Sequence, residues 1–146
     1  MSISTIKELE KWMLENCIIN KITPGNRYET DEGVGLEKYG NLYIWYHFER
    51  GEKENLNYFN TEKQAAEFVY EYLCKYKYSN SHLIASFTDQ KLKSELITEL
   101  LNRNIKYWIN EIPYRKINKN LIQIFVYRCD VKKVSDLSEK YLIEIV

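Results

Sequence analysis

The acidic side chains of this chain include neighbouring pairs, and paired carboxylates can act as a general acid and a general base. One pair is Glu29 and Asp31, and a second is Glu52 and Glu54. Both pairs fall on a predicted exposed strand or hairpin tip, where adjacent acids more often form a solvated edge. We therefore interpret these carboxylates as surface charges.

Nucleophilic catalysis and metal binding each need several side chains held together. His47 and His82 fall in different predicted strands, and the chain has no phosphate-binding loop, nucleophile elbow or zinc-protease motif. Cys17, Cys74 and Cys129 are scattered, without Cys-x-x-Cys spacing. The sequence predicts no catalytic residue, no metal and no cofactor. It also predicts three free thiols, as expected in a reducing cytoplasm.

Charge and hydropathy limit the partners. Of the 146 residues, 21 are basic and 21 are acidic. Residues 1–78 hold 10 basic and 13 acidic side chains, and residues 79–146 hold 11 and 8. Neither half has the basic excess of a dedicated nucleic-acid binder. No apolar run approaches the roughly 20 residues of a bilayer span, and the N-terminus has no apolar signal region, so we expect a cytoplasmic protein without a membrane partner.

The elements that must position these side chains are clearest between residues 42 and 73. Alternation over 42–49 predicts a strand, 50–53 a polar turn containing glycine, and 56–59 a second strand. Thr61 and Gln64 have the spacing of a capping box that opens a helix. The apolar residues of that helix recur at helical spacing, which predicts that it packs across the hairpin.

The rest of the first half completes a small α+β domain. Thr5 and Glu8 predict a second capping box, for a helix ending near Cys17. Residues 27–36 predict a weak acidic strand. The first domain, residues 1–78, is therefore predicted to have the order α-β-β-β-α.

After the polar stretch 75–81 the hydrophobic pattern begins again. The order that it predicts, β-α-β-β-α-β, is that of a ferredoxin-like unit. We therefore predict an α+β fold with a second domain at residues 79–146 and a boundary between Lys75 and His82. The predicted elements are a strand at 82–87, a helix from 88 or 89 to 103 that Asn104 ends, strands at 105–112 and 121–128, a short helix after Asp130 and a strand at 142–146.

One stretch resembles a known family. The run 46–53, Tyr-His-Phe-Glu-Arg-Gly-Glu-Lys, with Phe59, Glu62 and Ala65 beyond it, resembles a pattern in small bacterial immunity proteins. Those proteins neutralise toxin domains of secreted polymorphic-toxin systems, including prophage-associated ones. The resemblance covers the first half of the chain. It implies an antitoxin that occludes a cognate toxin, with a nuclease as the expected toxin, and that needs no cofactor.

A protein of this kind requires aromatic anchors and charges that complement its partner. The chain has 13 tyrosines, 3 tryptophans and 5 phenylalanines, and Trp45 could be either an exposed anchor or a core residue. We expect a monomer or a weak homodimer. The candidate partner-binding residues are Tyr43, Trp45, His47, Glu49, Glu52 and Glu54 on the hairpin, and Glu29, Asp31 and Glu32 on the acidic strand.

A second interpretation is that the C-terminal domain binds single-stranded RNA on its sheet, by stacking bases on rings and holding phosphates with cations. The absence of a sequence like the aromatic RNA-binding strand of such domains counts against it. The residues that would serve are Tyr107, Trp108 and Tyr127, with the basic loop residues Arg115, Lys116 and Lys119.

Overall fold

The computed structural model describes residues 3–18, 33–116 and 118–142, which form an α+β fold. The strands form two antiparallel sheets of three strands each. The chain divides into two compact units, residues 1–79 (unit 1) and residues 80–146 (unit 2).

Unit 1 has the element order α-β-β-β-α. Its sheet order is β1-β2-β3, and both strand pairs are antiparallel. The predicted acidic strand is described only from Gly33 onward, because residues 19–32 lie outside the described residues. The elements are α1 (Ile6–Glu15), β1 (Gly33–Tyr39), β2 (Leu42–Glu49), β3 (Glu52–Phe59) and α2 (Glu62–Lys75).

Both helices of unit 1 begin where the sequence predicts. The Glu8 amide donates to Thr5 Oγ1 at 3.1 Å, and the Thr5 hydroxyl donates to the Glu8 carboxylate at 3.0 Å. At α2, the Gln64 amide donates to Thr61 Oγ1 at 3.2 Å. These bonds satisfy amide groups that have no partner inside the helix.

The helices of unit 1 pack on one face of its sheet, and that face carries Tyr43 and Trp45. The Trp45 ring meets the Tyr72 ring edge-to-face at 5.1 Å between centroids and the Phe68 ring at 5.9 Å. Burial of Tyr72 in this cluster raises the pKa of its hydroxyl. Trp45 is only 2% exposed. The face that the sequence assigned to a partner is therefore, over this part of β2, the core face.

Unit 2 begins β-α-β-β and adds a 3-10 segment and a final helix. Its sheet order is β4-β6-β5, antiparallel throughout, so the β4–α3–β5 connection passes over the strand between them. The order of these three strands matches the split β-α-β part of the predicted ferredoxin-like unit. The elements are β4 (Ser81–Phe87), α3 (Gln90–Asn102), β5 (Tyr107–Tyr114), β6 (Lys119–Tyr127), the 3-10 segment (Arg128–Val134) and α4 (Ser135–Tyr141).

The final strand predicted at 142–146 is described at one residue only. Leu142 forms a single bridge to Ser86, and that bridge is parallel. Residues 143–146 lie outside the described residues.

Side-chain contacts hold the helices of unit 2. Asn104 has a φ of 58° and ends α3, as its sequence position predicts. Next to it, the Arg103 guanidinium binds Asp136 of α4 through two hydrogen bonds of 2.9 and 2.7 Å. Those bonds lower the pKa of Asp136 to about 2. Near the other end of α3, a hydrogen bond from Lys93 lowers the pKa of Glu111 on β5.

The thiols differ from expectation. Cys74 is a free, exposed cysteine. Cys17 and Cys129 are oxidised in the structure, so the prediction of three free thiols is wrong. The cysteines therefore no longer support the expectation of a reducing cytoplasm. Within the described ranges, no helix combines the length and apolar content that crossing a membrane requires.

Candidate functional site

The acidic residues predicted on the hairpin meet where β2 turns into β3. Arg50 and Gly51 form the turn, with φ values of 52° and 79°, as in the type I′ turns that suit the twist of two-stranded hairpins. The turn is shorter than predicted, because Glu52 already pairs in β3, opposite Glu49. The two strands thus place like charges face to face.

A cleft of about 720 Å³ lies at this hairpin end. Its lining is strongly charged, and we call these residues the acidic hairpin end. Four of the nine residues predicted to bind a partner belong to it. Two cationic residues also line the cleft. The full set is His47, Glu49, Arg50, Glu52, Lys53 and Glu54.

The two cations of the acidic hairpin end differ in what they bind. The Lys53 ammonium is paired with the buried carboxylate of Glu37 on β1 and lies 5.1 Å from the centre of the Tyr46 ring. Arg50, by contrast, is exposed at the tip. The charge of Lys53 is therefore largely neutralised within the sheet.

The carboxylates of the acidic hairpin end remain available. Glu49, Glu52 and Glu54 are exposed, and among residues 3–18, 33–116 and 118–142 none of the three takes part in an ion pair. With Arg50 as the remaining cation, the site carries a formal excess of negative charge. Like charges directly opposite in a sheet destabilise it, so a cationic partner would relieve an existing repulsion.

Histidine 47 lies within this charged surface. It stands opposite Glu54 in the β2–β3 register and is half-buried. A histidine beside carboxylates can bind a metal or take part in proton transfer. Across the residues that the structure describes, however, no group of three or more His, Cys, Asp and Glu side chains has an arrangement that could hold a metal ion.

Two of the predicted partner-binding residues lie elsewhere in unit 1, and three fall outside the described residues. Tyr43 and Trp45 are buried in the core under α2, so assigning them to an exposed binding surface is wrong. The physical reason is the direction of the side chains of β2. The large rings of Tyr43 and Trp45 point to the sheet face on which α2 packs. Glu29, Asp31 and Glu32 lie outside the described residues.

Exposed aromatic residues occur elsewhere on the same sheet, and the sequence interpretation missed them. Tyr39 is 72% exposed and Tyr58 is 59% exposed. They occupy the sheet face opposite the helices, at the end away from the acidic hairpin end, and Leu42 lies beside them, opposite Tyr39. The signal that could have found Tyr39 is its place directly before the Gly40-Asn41 turn, where side chains usually meet solvent.

Two of the three rings proposed for RNA stacking are engaged within unit 2. Trp108 stacks on Phe125, with centroids 4.1 Å apart and planes 7° apart, and its indole N–H donates to Ser81 Oγ at 2.7 Å. Tyr107 packs against the hydrophobic core. Trp108 and Tyr107 therefore do not form an open platform for successive bases. The basic loop residues are exposed at the β5–β6 turn: Arg115, Lys116 and Lys119.

Comparison with known proteins adds no relative: the chain matches no protein-family model, no curated protein and no solved structure.

Proposed function

We propose that this chain is an immunity protein that binds and neutralises a cognate bacterial toxin domain through the acidic hairpin end. One observation carries the proposal: Glu49, Glu52 and Glu54 are exposed together, and none forms an ion pair among the described residues. A surface of this sign suits a cationic partner. Nuclease domains present positively charged surfaces to their nucleic-acid substrates. A nuclease is therefore the toxin class that fits best.

The second support is the fixed geometry of the hairpin. The Lys53–Glu37 ion pair joins β3 to β1 across β2, and the two-residue turn leaves little freedom at the tip. A surface that is already ordered loses less conformational entropy when it binds. The backbone that carries the three glutamates is thus ordered before a partner binds.

The test is co-expression with candidate bacterial nuclease toxin domains. Wild-type protein should rescue growth and copurify with the toxin as a complex. Reversing Glu52→Lys together with Glu54→Lys should abolish rescue at low expression and slow association several-fold, because electrostatic steering would be lost. Growth and association rate are the two measurements.

A matched control is available on α2 of the same unit. Glu67 and Glu71 are also exposed, and reversing both to lysine changes the net charge by the same amount. Rescue by this control and failure of the hairpin variant would support the proposal. Equal rescue by both variants, or no complex with the wild type, would overturn it. Binding of single-stranded RNA without any effect on a toxin would favour the RNA-binding interpretation.

A further inference from the structure

A second, smaller cleft opens at one end of the sheet of unit 2, with a volume of about 380 Å³. We call it the terminal cleft. Its volume falls within the range of about 300–1,000 Å³ that is usual for small-molecule sites. None of its residues belongs to the acidic hairpin end. The lining residues are Leu101, Asn104, Ile105, Lys106, Tyr107 and Tyr127.

The way that α3 ends builds one wall of the terminal cleft. Asn104 adopts a left-handed conformation with a φ of 58°. The Ile105 amide then donates to the Leu100 carbonyl at 2.9 Å, and the Ile105 side chain is buried. This turn leaves Lys106 exposed at the rim and starts β5 at Tyr107.

The other wall comes from the sheet. Tyr107 pairs with Val126 of β6, the residue before Tyr127, so the two tyrosines reach the same end of the sheet from its opposite faces. Within the part of the chain that the structure describes, neither phenol forms a hydrogen bond, nor does the side-chain amide of Asn104. Two hydroxyls and one amide are therefore available to a ligand.

The terminal cleft also combines apolar surface with a single charge. Leu101 is 64% exposed despite its apolar side chain, and Ile105 lies next to it in the lining. Lys106 is the one charged side chain that lines the cleft, and it forms no ion pair among the described residues. Apolar and aromatic walls favour a flat ring, and an unpaired ammonium favours an anion.

We propose that the terminal cleft binds a small planar aromatic molecule that carries one anionic group. The ring would cover Leu101 and contact the tyrosines. The anion would pair with Lys106, and one of the two tyrosine hydroxyls would donate a hydrogen bond to it. Two sources of this chemistry are an aromatic carboxylate and a nucleoside monophosphate.

The experiment is a titration of the isotope-labelled full chain, followed by NMR chemical shifts. The probes are benzoate and adenosine monophosphate, with benzamide and adenosine as uncharged counterparts of each. We expect saturable shifts at Tyr107, Tyr127 and their neighbours, and binding of the anion about fivefold tighter than that of its counterpart. Whichever anion binds more tightly identifies the source.

Variants then locate the anion. Lys106→Ala should remove the preference for the anionic probe and leave the circular dichroism spectrum unchanged, because Lys106 is exposed. Lys132→Ala, an exposed lysine of the same unit without an ion pair among the described residues, is the control and should bind like the wild type. The proposal is overturned if no probe gives saturable shifts at millimolar concentration, or if Lys106→Ala binds both members of a pair as the wild type does.

Discussion

The two halves of β2 differ in what covers the same face of the strand. Near the start of β2, Tyr43 and Trp45 lie under α2 and form part of the core. Near its end, His47 and Glu49 continue the same alternation but line the open cleft of the acidic hairpin end. One strand face thus serves first as core and then as surface. The helix determines the change, because it packs on one half and leaves the other half open.

The largest effect is expected in the covered half. Trp45→Ala should lower the free energy of unfolding by about 3–5 kcal/mol, since it removes a buried ring that packs on Phe68 and Tyr72. Urea unfolding followed by circular dichroism measures this loss. Tyr58→Ala, on an exposed ring of the same sheet, should change stability by no more than about 0.5 kcal/mol. Similar losses in both variants would contradict the assignment of the two faces.

At the turn that follows the open half of β2, a substitution should raise stability. Arg50 holds a positive φ of 52°, a conformation that asparagine tolerates better than arginine does. Arg50→Asn should therefore raise the free energy of unfolding by about 0.5–1 kcal/mol. Arg50→Ala removes the same charge and keeps the backbone strain, so it separates the two causes. A gain in the alanine variant equal to that in the asparagine variant would contradict the assignment to backbone strain.

Relief of charge repulsion should have a slightly smaller effect. Glu49 lies directly opposite Glu52, and like charges in that position destabilise a sheet. Glu49→Gln should raise stability by about 0.2–1 kcal/mol, with the gain shrinking as salt increases. Under the proposed function the same change should weaken toxin binding. A variant that is less stable than the wild type would show that Glu49 has a stabilising partner.

The smallest effect is expected where charges are exposed but paired. Because the pKa of Asp136 is lowered to about 2, its pair with Arg103 stabilises unit 2 above the unfolded carboxyl pKa of about 3.9. That contribution is lost as the pH falls toward 2. Acid titrations of Asp136→Asn and wild type should therefore converge below about pH 2. Glu139→Gln, on an exposed α4 residue with no ion pair among the described residues, should follow the wild type at every pH.

Local signals in the sequence predicted the ends of elements. Thr5 and Thr61 cap their helices as expected, and Asn104 ends α3, because each effect depends on residues within one turn of chain. The faces of β2 were a different problem. Ile44 and Tyr46 are buried as well as Tyr43 and Trp45, so alternation of apolar and polar residues did not indicate which face the helices cover.

The sequence predicted the charged residues of the candidate site. It did not predict the ion pair or the strand register that position them. The acids of the hairpin are adjacent in sequence and needed only a turn to bring them together. The Lys53–Glu37 pair joins strands that are separated by β2, and the register is irregular at Trp45 and Tyr46, where β3 carries an extra residue. No short stretch of sequence contains that information. The terminal cleft likewise depends on residues from a helix end and two strands.

The central claim is that the acidic hairpin end captures a cationic toxin. Stopped-flow measurement of the association rate over a range of salt concentrations tests it most directly. For the wild type the rate should fall steeply with salt, and for Glu52→Lys with Glu54→Lys it should be slower at low salt and converge with the wild type at high salt. Equal rates and equal salt dependence for the two proteins would contradict the account.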